Sequence, residues 1–361
     1  MQQVIFMIGL IDNYQTPILM KHLKHTLKLI AASILFTSAA SHVSAEALKV
    51  GYLPVTGHAK YFVAQEQGIF KKEGLEVELV EFQNSADGTN AVIAGKLDIG
   101  TFGTTAPLLF YSKGSDIKII GGVMGQDAAL VAKPEAAGKI HTLADLKGKK
   151  IATVRLASGD AVLRGALKDA KLNWKTDVEI FELKNPPAVL EAVKSGQVDA
   201  GVVWGPHDIR AEKQGLKVVI RSAELQPNHP CCRVVVNGAK VKDRAVLERF
   251  LRAVLLAEKY AGEHRKETID ATAKYIKLDR DILEKGYYSP NLDQSSDPNV
   301  KGVEKFWLSM VSSEFIQGTR PLEPIFDVSL YKNALESLAK ESPKDPFWQV
   351  RLKQFKERDT L

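Results

Sequence analysis

The chain has 361 residues, with 49 Lys and Arg against 43 Asp and Glu, 45% hydrophobic residues, 26 Gly and two Cys. A single core rarely grows past roughly 250–300 residues, so two lobes are expected, and the ordinary charge and Gly/Pro content exclude a disordered or collagen-like chain. The formal charge of +6 comes without any run of five Lys or Arg, which leaves nucleic-acid binding unsupported, and two adjacent cysteines cannot build a disulfide scaffold.

Residues 1–45 read as an address. Lys21, His22, Lys24, His25 and Lys28 form a positive region, an apolar run extends from Leu29 to about Ala40, and Val43-Ser44-Ala45 has small residues at both ends. This is the layout of a secretory signal cleaved after Ala45, with Met20 the natural initiator. The apolar run is shorter than the roughly 20 residues a membrane span needs. Removing the segment lowers the charge from +6 to +4, and no Cys directly follows the apolar run to accept a lipid. A soluble periplasmic protein of a two-membraned bacterium is expected.

The mature chain alternates strand and helix. Leu48–Leu53 reads as a strand entering a loop at Pro54, and His58–Gly74 as a helix stopped by Gly74. Leu75–Phe82 alternates as a strand, Asn84–Leu97 is helical, Asp98–Phe102 a strand, Thr105–Lys113 a helix and Ile117–Val123 a strand. The rhythm restarts after Pro134. Strands Ile151–Val154, Asp177–Leu183, Val198–Trp204 and Val218–Ile220 are interleaved with helices over Asp160–Lys171 and Pro187–Ser195. From Val234 onward the chain is mostly helical, with Leu247–Gly262 the clearest amphipathic stretch. The class is α/β with parallel βαβ units.

One internal echo stands out. Asn90–Gly100 and Glu191–Gly201 share the pattern A-V-x-x-G-x-(L/V)-D-x-G, in which a helix ends at Gly and turns directly into a buried strand. The carboxyl end of each strand then opens into a loop or helix start, the place where open α/β sheets hold ligands.

Five fragments, Gly51-Tyr-Leu-Pro with His58 and Ala64, Gly68–Leu75, Ala94–Gly100, Asp145–Lys150 and Val193–Gly201, together resemble the periplasmic solute-binding proteins of ABC importers in the nitrate/sulfonate/taurine group. The resemblance covers roughly residues 47–260. It implies a type 2 periplasmic-binding fold, two α/β lobes joined by two hinge crossings near Ala128–Lys133 and Asn228–Val236. Lobe one would be 46–130 plus 230–325, lobe two 131–229, and 326–361 a helical tail. It also implies a monomer that closes on a small solute and delivers it to an inner-membrane permease driven by a cytoplasmic ATPase, with no cofactor.

Ligand contacts are expected at helix starts facing the cleft, where free N–H groups and the macrodipole favour anions. These are Ser85, Thr104 and Thr105 in lobe one and Ser158 and Gly159 in lobe two, although Ser and Thr also cap helices without any ligand. Asp160 in a first helical turn would repel a sulfonate and suits a ligand amine or simply the dipole. Arg155, at a strand end, offers countercharge. Trp204 and His207 come directly after the second echo strand, and His58 sits in the first strand–helix loop. Tyr287, Tyr288 and Trp307 read as core packing rather than a lid.

Asn228-His-Pro-Cys-Cys-Arg233 falls where the chain should recross the hinge. Neighbouring residues of a regular strand point to opposite faces, so Cys231 and Cys232 are either two small buried apolar residues or a ligand-contacting or soft-metal pair. Their spacing with His229 is not that of a structural zinc site. Fungal-type pyrimidine synthases of thiamine biosynthesis share the architecture and a cysteine-rich recrossing strand. Their lysine for pyridoxal phosphate and their substrate histidine have no counterpart in Asp98–Ala106, so a receptor is expected rather than an enzyme. The expected solute is a sulfonate or related small organic anion or zwitterion. Uptake of a thiamine-precursor pyrimidine and capture of a thiophilic metal or thiol-reactive ligand are the alternatives.

Overall fold

The computed structural model describes residues 47–360, and the export signal expected over residues 1–45 lies outside the described residues. The chain begins with β1 (Leu48–Tyr52), α1 (Ala59–Glu66), α2 (Ile69–Lys72), β2 (Val77–Glu81), α3 (Ser85–Ile93), β3 (Ile99–Gly103), α4 (Thr105–Ser112) and the long strand β4 (Ile117–Gln126). β2 and β3 both pair with β1 in parallel. The single helix expected over His58–Gly74 is interrupted. A 3-10 turn, Thr56–His58, precedes α1, and Gly68 at φ +66° separates α1 from α2, a left-handed conformation that costs glycine little.

At the end of β4, Gln126 and Asp127 both take positive φ, 58° and 76°, and turn the chain out of the first sheet. β5 (Ala128–Ala132) already belongs to the second sheet, so the crossing sits at Asp127, ahead of the Ala128–Lys133 stretch that the sequence suggested. Next come α5 (Pro134–Ala137), β6 (Lys150–Val154), α6 (Ser158–Asp169), β7 (Glu179–Leu183), α7 (Pro186–Ser195), β8 (Ala200–Trp204), α8 (His207–Lys213), β9 (Lys217–Arg221) and α9 (Ser222–Leu225). The chain then returns as β10 (Pro230–Asn237), wholly within the first sheet.

The remainder comprises α10 (Arg244–Glu263), α11 (Arg265–Tyr275), α12 (Arg280–Tyr287), β11 (Leu292–Asp293), α13 (Val300–Ser312), α14 (Val328–Glu341) and α15 (Pro346–Arg358). Leu330 and Leu335 of α14 and Trp348 and Phe355 of α15 are buried in the same core as Val50, Ile99 and Ile119 of the first sheet. The helical tail expected over 326–361 thus packs into the core of the first sheet. Among the described residues no helix is long and apolar enough to cross a membrane.

The strand orders are β11-β4-β10-β3-β1-β2 and β7-β6-β8-β5-β9. Both sheets are mixed: β10 runs antiparallel to β3 and β4, and β5 antiparallel to β8 and β9. The echo pattern has the same physical role in each. Asp98 Oδ2 accepts the Lys49 N–H at 2.9 Å, and Asp199 Oδ2 accepts the Lys150 N–H at 2.8 Å, so each Asp ties its strand to the neighbouring one. A Cβ on Gly100 would come within 2.5 Å of Val92, and one on Gly201 within 2.5 Å of Val189, so the second Gly of each echo lets the preceding helix lie close on the strand. Asn84 and Asn185 then cap α3 and α7 alike, each side chain accepting an N–H from three residues on.

Candidate functional site

Beyond the carboxyl ends of β1, β2, β6, β7 and β8 lies a cleft of about 280 Å³ walled from both sheets. The first sheet contributes Leu53, Val55 and the Gln83-Asn84-Ser85 turn into α3. The second contributes Arg155, Ala157, Pro186, Pro187, Trp204 and His207, and the end of α11 with the turn after it closes the side with Tyr275–Leu278. A small inner chamber of about 20 Å³ continues the cleft toward the hinge. It shares Leu53, Val55, Ser85, Ala157 and Trp204 with the outer cleft and adds Gly103, Met124, Ala128, Ser158, Gly159, Cys231 and Cys232.

The helix starts expected to hold a ligand behave differently from one another. Ser85 reaches both chambers, and its Oγ accepts the Gly103 N–H at 2.9 Å. Thr104, Thr105 and Ser158 instead satisfy one another across the hinge. The Thr104 N–H donates to Ser158 Oγ at 3.0 Å, Thr104 Oγ1 and Ser158 Oγ both donate to the Cys231 carbonyl at 2.9 and 2.8 Å, and Thr105 Oγ1 donates to the Ala157 carbonyl at 3.3 Å. Thr104 and Thr105 are fully buried and stand outside the lining of the cleft. They join the lobes rather than waiting open for a solute.

Asp160 likewise turns away from the cleft. Its Oδ1 accepts Arg164 Nε at 2.9 Å, and Arg164 also reaches Glu182 at 2.9 Å. Burial pushes the Asp160 carboxyl up to about 6, opposed by Arg164. Gly159 stays in the inner chamber, where a Cβ would press on Val202 and Ala128 at 2.8 and 2.9 Å. Arg155 lies at the mouth with its side chain 72% exposed and 4.0 Å from Glu182, a distance at which water screens the pair.

His58 is fully buried beneath the first wall and does not line the cleft. Its Nδ1 accepts the Leu53 N–H at 3.2 Å, fixing the loop that carries Leu53 and Val55, and burial drives its pKa down to about 3. His207 does line the cleft, and its Nδ1 has no hydrogen-bond partner. Burial lowers its pKa to about 4, with Arg210 adding to the shift, so the imidazole stays neutral above that value. Solute affinity is therefore expected to show no histidine titration between pH 5 and 8. Calorimetry across that range tests this, and binding that tightens as pH falls through 6.5 would contradict it. Tyr287 and Trp307 are core residues, as the sequence suggested.

The cysteines are free, with Cys231 half-buried and Cys232 buried, and both face the inner chamber. Sequence reading missed Met124 beside them, Asp127 at the crossing, the Pro186-Pro187 pair and the Tyr275–Leu278 wall. Asp127 is 2% exposed and accepts the Gly205 N–H at 3.2 Å. Burial raises its pKa well above the usual carboxylate range, with Asp208 and Cys231 adding to the effect.

This cleft at strand ends between two mixed sheets, with two crossings at its back, places the chain among known proteins once sequence likeness is added. The model of the NMT1-like family matches residues 41–277. The chain belongs to the NMT1-like family. It is similar to a putative binding protein of Brucella abortus (strain 2308), 28% identical over 292 residues that span 77% of this chain and 88% of that protein. The putative aliphatic sulfonates-binding protein of Escherichia coli (strain K12) is 26% identical over 266 residues, 72% of this chain and 82% of its own length. The crystal structure of the periplasmic nitrate-binding protein of Synechocystis PCC 6803 superposes with a TM-score of 0.70 over 83% of this chain and 92% of its own, at 15% identity. The fold of this NMT1-like chain is accordingly that of the periplasmic binding proteins. A pyrimidine phosphate synthase of Uromyces fabae matches over a shorter stretch, 30% identical across 145 residues or 40% of this chain.

Proposed function

We propose that this protein is the periplasmic receptor of an ABC importer, taking a small organic anion or zwitterion, a sulfonate or related sulfur compound, and handing it as a monomer to a membrane permease with its ATPase. The observation that carries the reading is the convergence of helix starts from both lobes on one small cleft. α3 enters from the first lobe, and α6, α7 and α8 from the second. Each presents the positive end of its dipole. Pro186 and Pro187 have no N–H to offer, so the attraction at α7 is that of the field alone.

The walls are mainly apolar, with Leu53, Val55, Trp204, Tyr275, Ile276 and Leu278 facing the polar Asn84, Ser85 and Arg155. An anion carrying an apolar tail suits them better than a bare inorganic anion. The similarity to an aliphatic sulfonates-binding protein supports the same class. Closure results from contacts made by both walls: a solute touching Asn84 and Trp204 together favours the closed arrangement by its differential affinity for it. The Trp204 and Tyr275 rings also favour a second reading, a flat thiamine-precursor pyrimidine held between aromatic faces.

A thermal-shift and calorimetry panel separates these. Alkanesulfonates and taurine are expected to raise the melting temperature, with affinity growing along the alkyl series, and stabilisation of about 2.7 kcal/mol at a hundredfold excess over Kd is easily read. A shift with the pyrimidine and none with any sulfonate would replace the solute class. Nitrate binding as tightly as the alkanesulfonates would remove the role given to the apolar wall.

A further inference from the structure

We propose that Cys231, Cys232 and Met124 form a site for one soft monovalent cation, Cu(I) or its analogue Ag(I), at the floor of the cleft. Adjacent strand residues ordinarily project to opposite faces. Here the register of β10 against β4 shifts between Pro230 and Cys232 and again between Cys232 and Arg233, and the two sulfurs stand 3.9 Å apart. That separation is far from the about 2.05 Å of a disulfide. Two thiolates bonded to one ion at about 2.3 Å, at angles between tetrahedral and trigonal, would stand about 3.8–4.0 Å apart. The dithiol already has the bite of a chelate.

The third donor comes from the neighbouring strand. Met124 pairs with Cys232 in the sheet register and lines the same chamber of about 20 Å³, room for one small particle. Among the described residues, no three His, Cys, Asp or Glu side chains converge on a possible metal position, so hard cations and four-ligand zinc have no donor set. His229 is otherwise engaged, its Nε2 with Ser222 Oγ at 2.9 Å and its Nδ1 with the Pro230 carbonyl at 3.2 Å. Two thiolates and a thioether in an apolar chamber are the combination that selects Cu(I).

The charges balance. One M⁺ displaces the two thiol protons, which leave to solvent, and the resulting bis-thiolate complex carries a single negative charge. Arg233 on the same strand favours that charge. The ion would enter through the cleft, with which the chamber shares Leu53 and Trp204. This site does not depend on which solute the cleft takes.

The test is anaerobic titration of the reduced full-length mature chain with Cu(I) against a chromophoric chelator, paired with X-ray absorption at the copper edge. One ion per chain is expected, with sulfur scatterers alone in its shell. Cys231→Ser and Cys232→Ala should each weaken binding by at least about a hundredfold and Met124→Leu by about tenfold, on the scale of lost metal ligands and supports. The absorption spectrum needs no variant, so a misfolded mutant leaves the test intact. Nitrogen or oxygen in the first shell, no competition with the chelator, or affinity unchanged in either cysteine variant would overturn the site.

Discussion

Lys60→Met is expected to lower the stability of the protein by about 3–5 kcal/mol, the usual cost of stripping one partner from a buried ion pair. Lys60 is fully buried in α1. Its ammonium donates to Glu258 Oε2 at 3.0 Å, to the Val123 carbonyl at 3.0 Å, to Ser296 Oγ at 2.8 Å and to the Gln294 carbonyl. One side chain thereby joins α1, α10, β4 and the loop before α13, which together hold the Leu53–His58 wall of the cleft. Burial pushes the Lys60 pKa down while Glu258 pulls it up. Without the ammonium, the Glu258 carboxylate keeps only Arg351, at 2.5 Å, and the Ser296 hydroxyl. The Arg351 side chain is 20% exposed against none for Lys60, so water can compensate more of its loss, and Arg351→Met should cost clearly less. Chemical denaturation of the two variants measures both. A Lys60→Met loss below about 1 kcal/mol, the scale of an exposed pair, would show that this network does not hold the wall.

Lys60 also marks where sequence reading stops. Nothing in Gly57-His-Ala-Lys-Tyr distinguishes a buried lysine from one on a solvated helix face, because its partner Glu258 lies 198 positions away. The cleft wall at Tyr275–Leu278 escapes for the same reason, since a helix end in an amphipathic region carries no local sign of facing a cleft. Features that depend on local backbone are legible. The repeated Gly and Asp of the echo prescribe a helix stop, a close helix–strand approach and a strand tie, and both copies make all three. Trp204, His207 and Ser85 are within reach because strand carboxyl ends define the mouth of such a fold.

Thr104 and Thr105 show the limit of that rule. The sequence marks helix starts, and only the packing of one lobe on the other decides which starts meet a solute and which meet each other. The cysteine pair departs from the regular-strand expectation through an irregularity in β10 that Pro230-Cys-Cys does not announce. Asp160 is legible as a first-turn residue with Arg164 four positions on, but that Arg164 spends its charge on Asp160 and on the distant Glu182 is settled only by packing.

Trp204→Ala should weaken solute binding more than any other single substitution in the cleft. Trp204 ends β8, pairs with Ala128 immediately after the Asp127 crossing, and packs against all three apolar cores while lining both chambers. If the ring covers about 100 Å² of a bound solute, its removal forfeits about 2.5 kcal/mol, a loss of affinity approaching a hundredfold. Arg155→Ala removes a charge that is mostly in water and should cost only about threefold to tenfold. Because the ring also supports the cores, Trp204→Phe is the control for stability: it keeps an aromatic face and should recover most of the binding. The order of the two losses matters more than either size. A larger fall for Arg155→Ala would mean that charge, not apolar cover, selects the solute, and would favour a small inorganic anion. The expected order ties recognition to closure, because the ring that covers the solute is one residue from Gly205, whose N–H is held by the Asp127 side chain at the crossing.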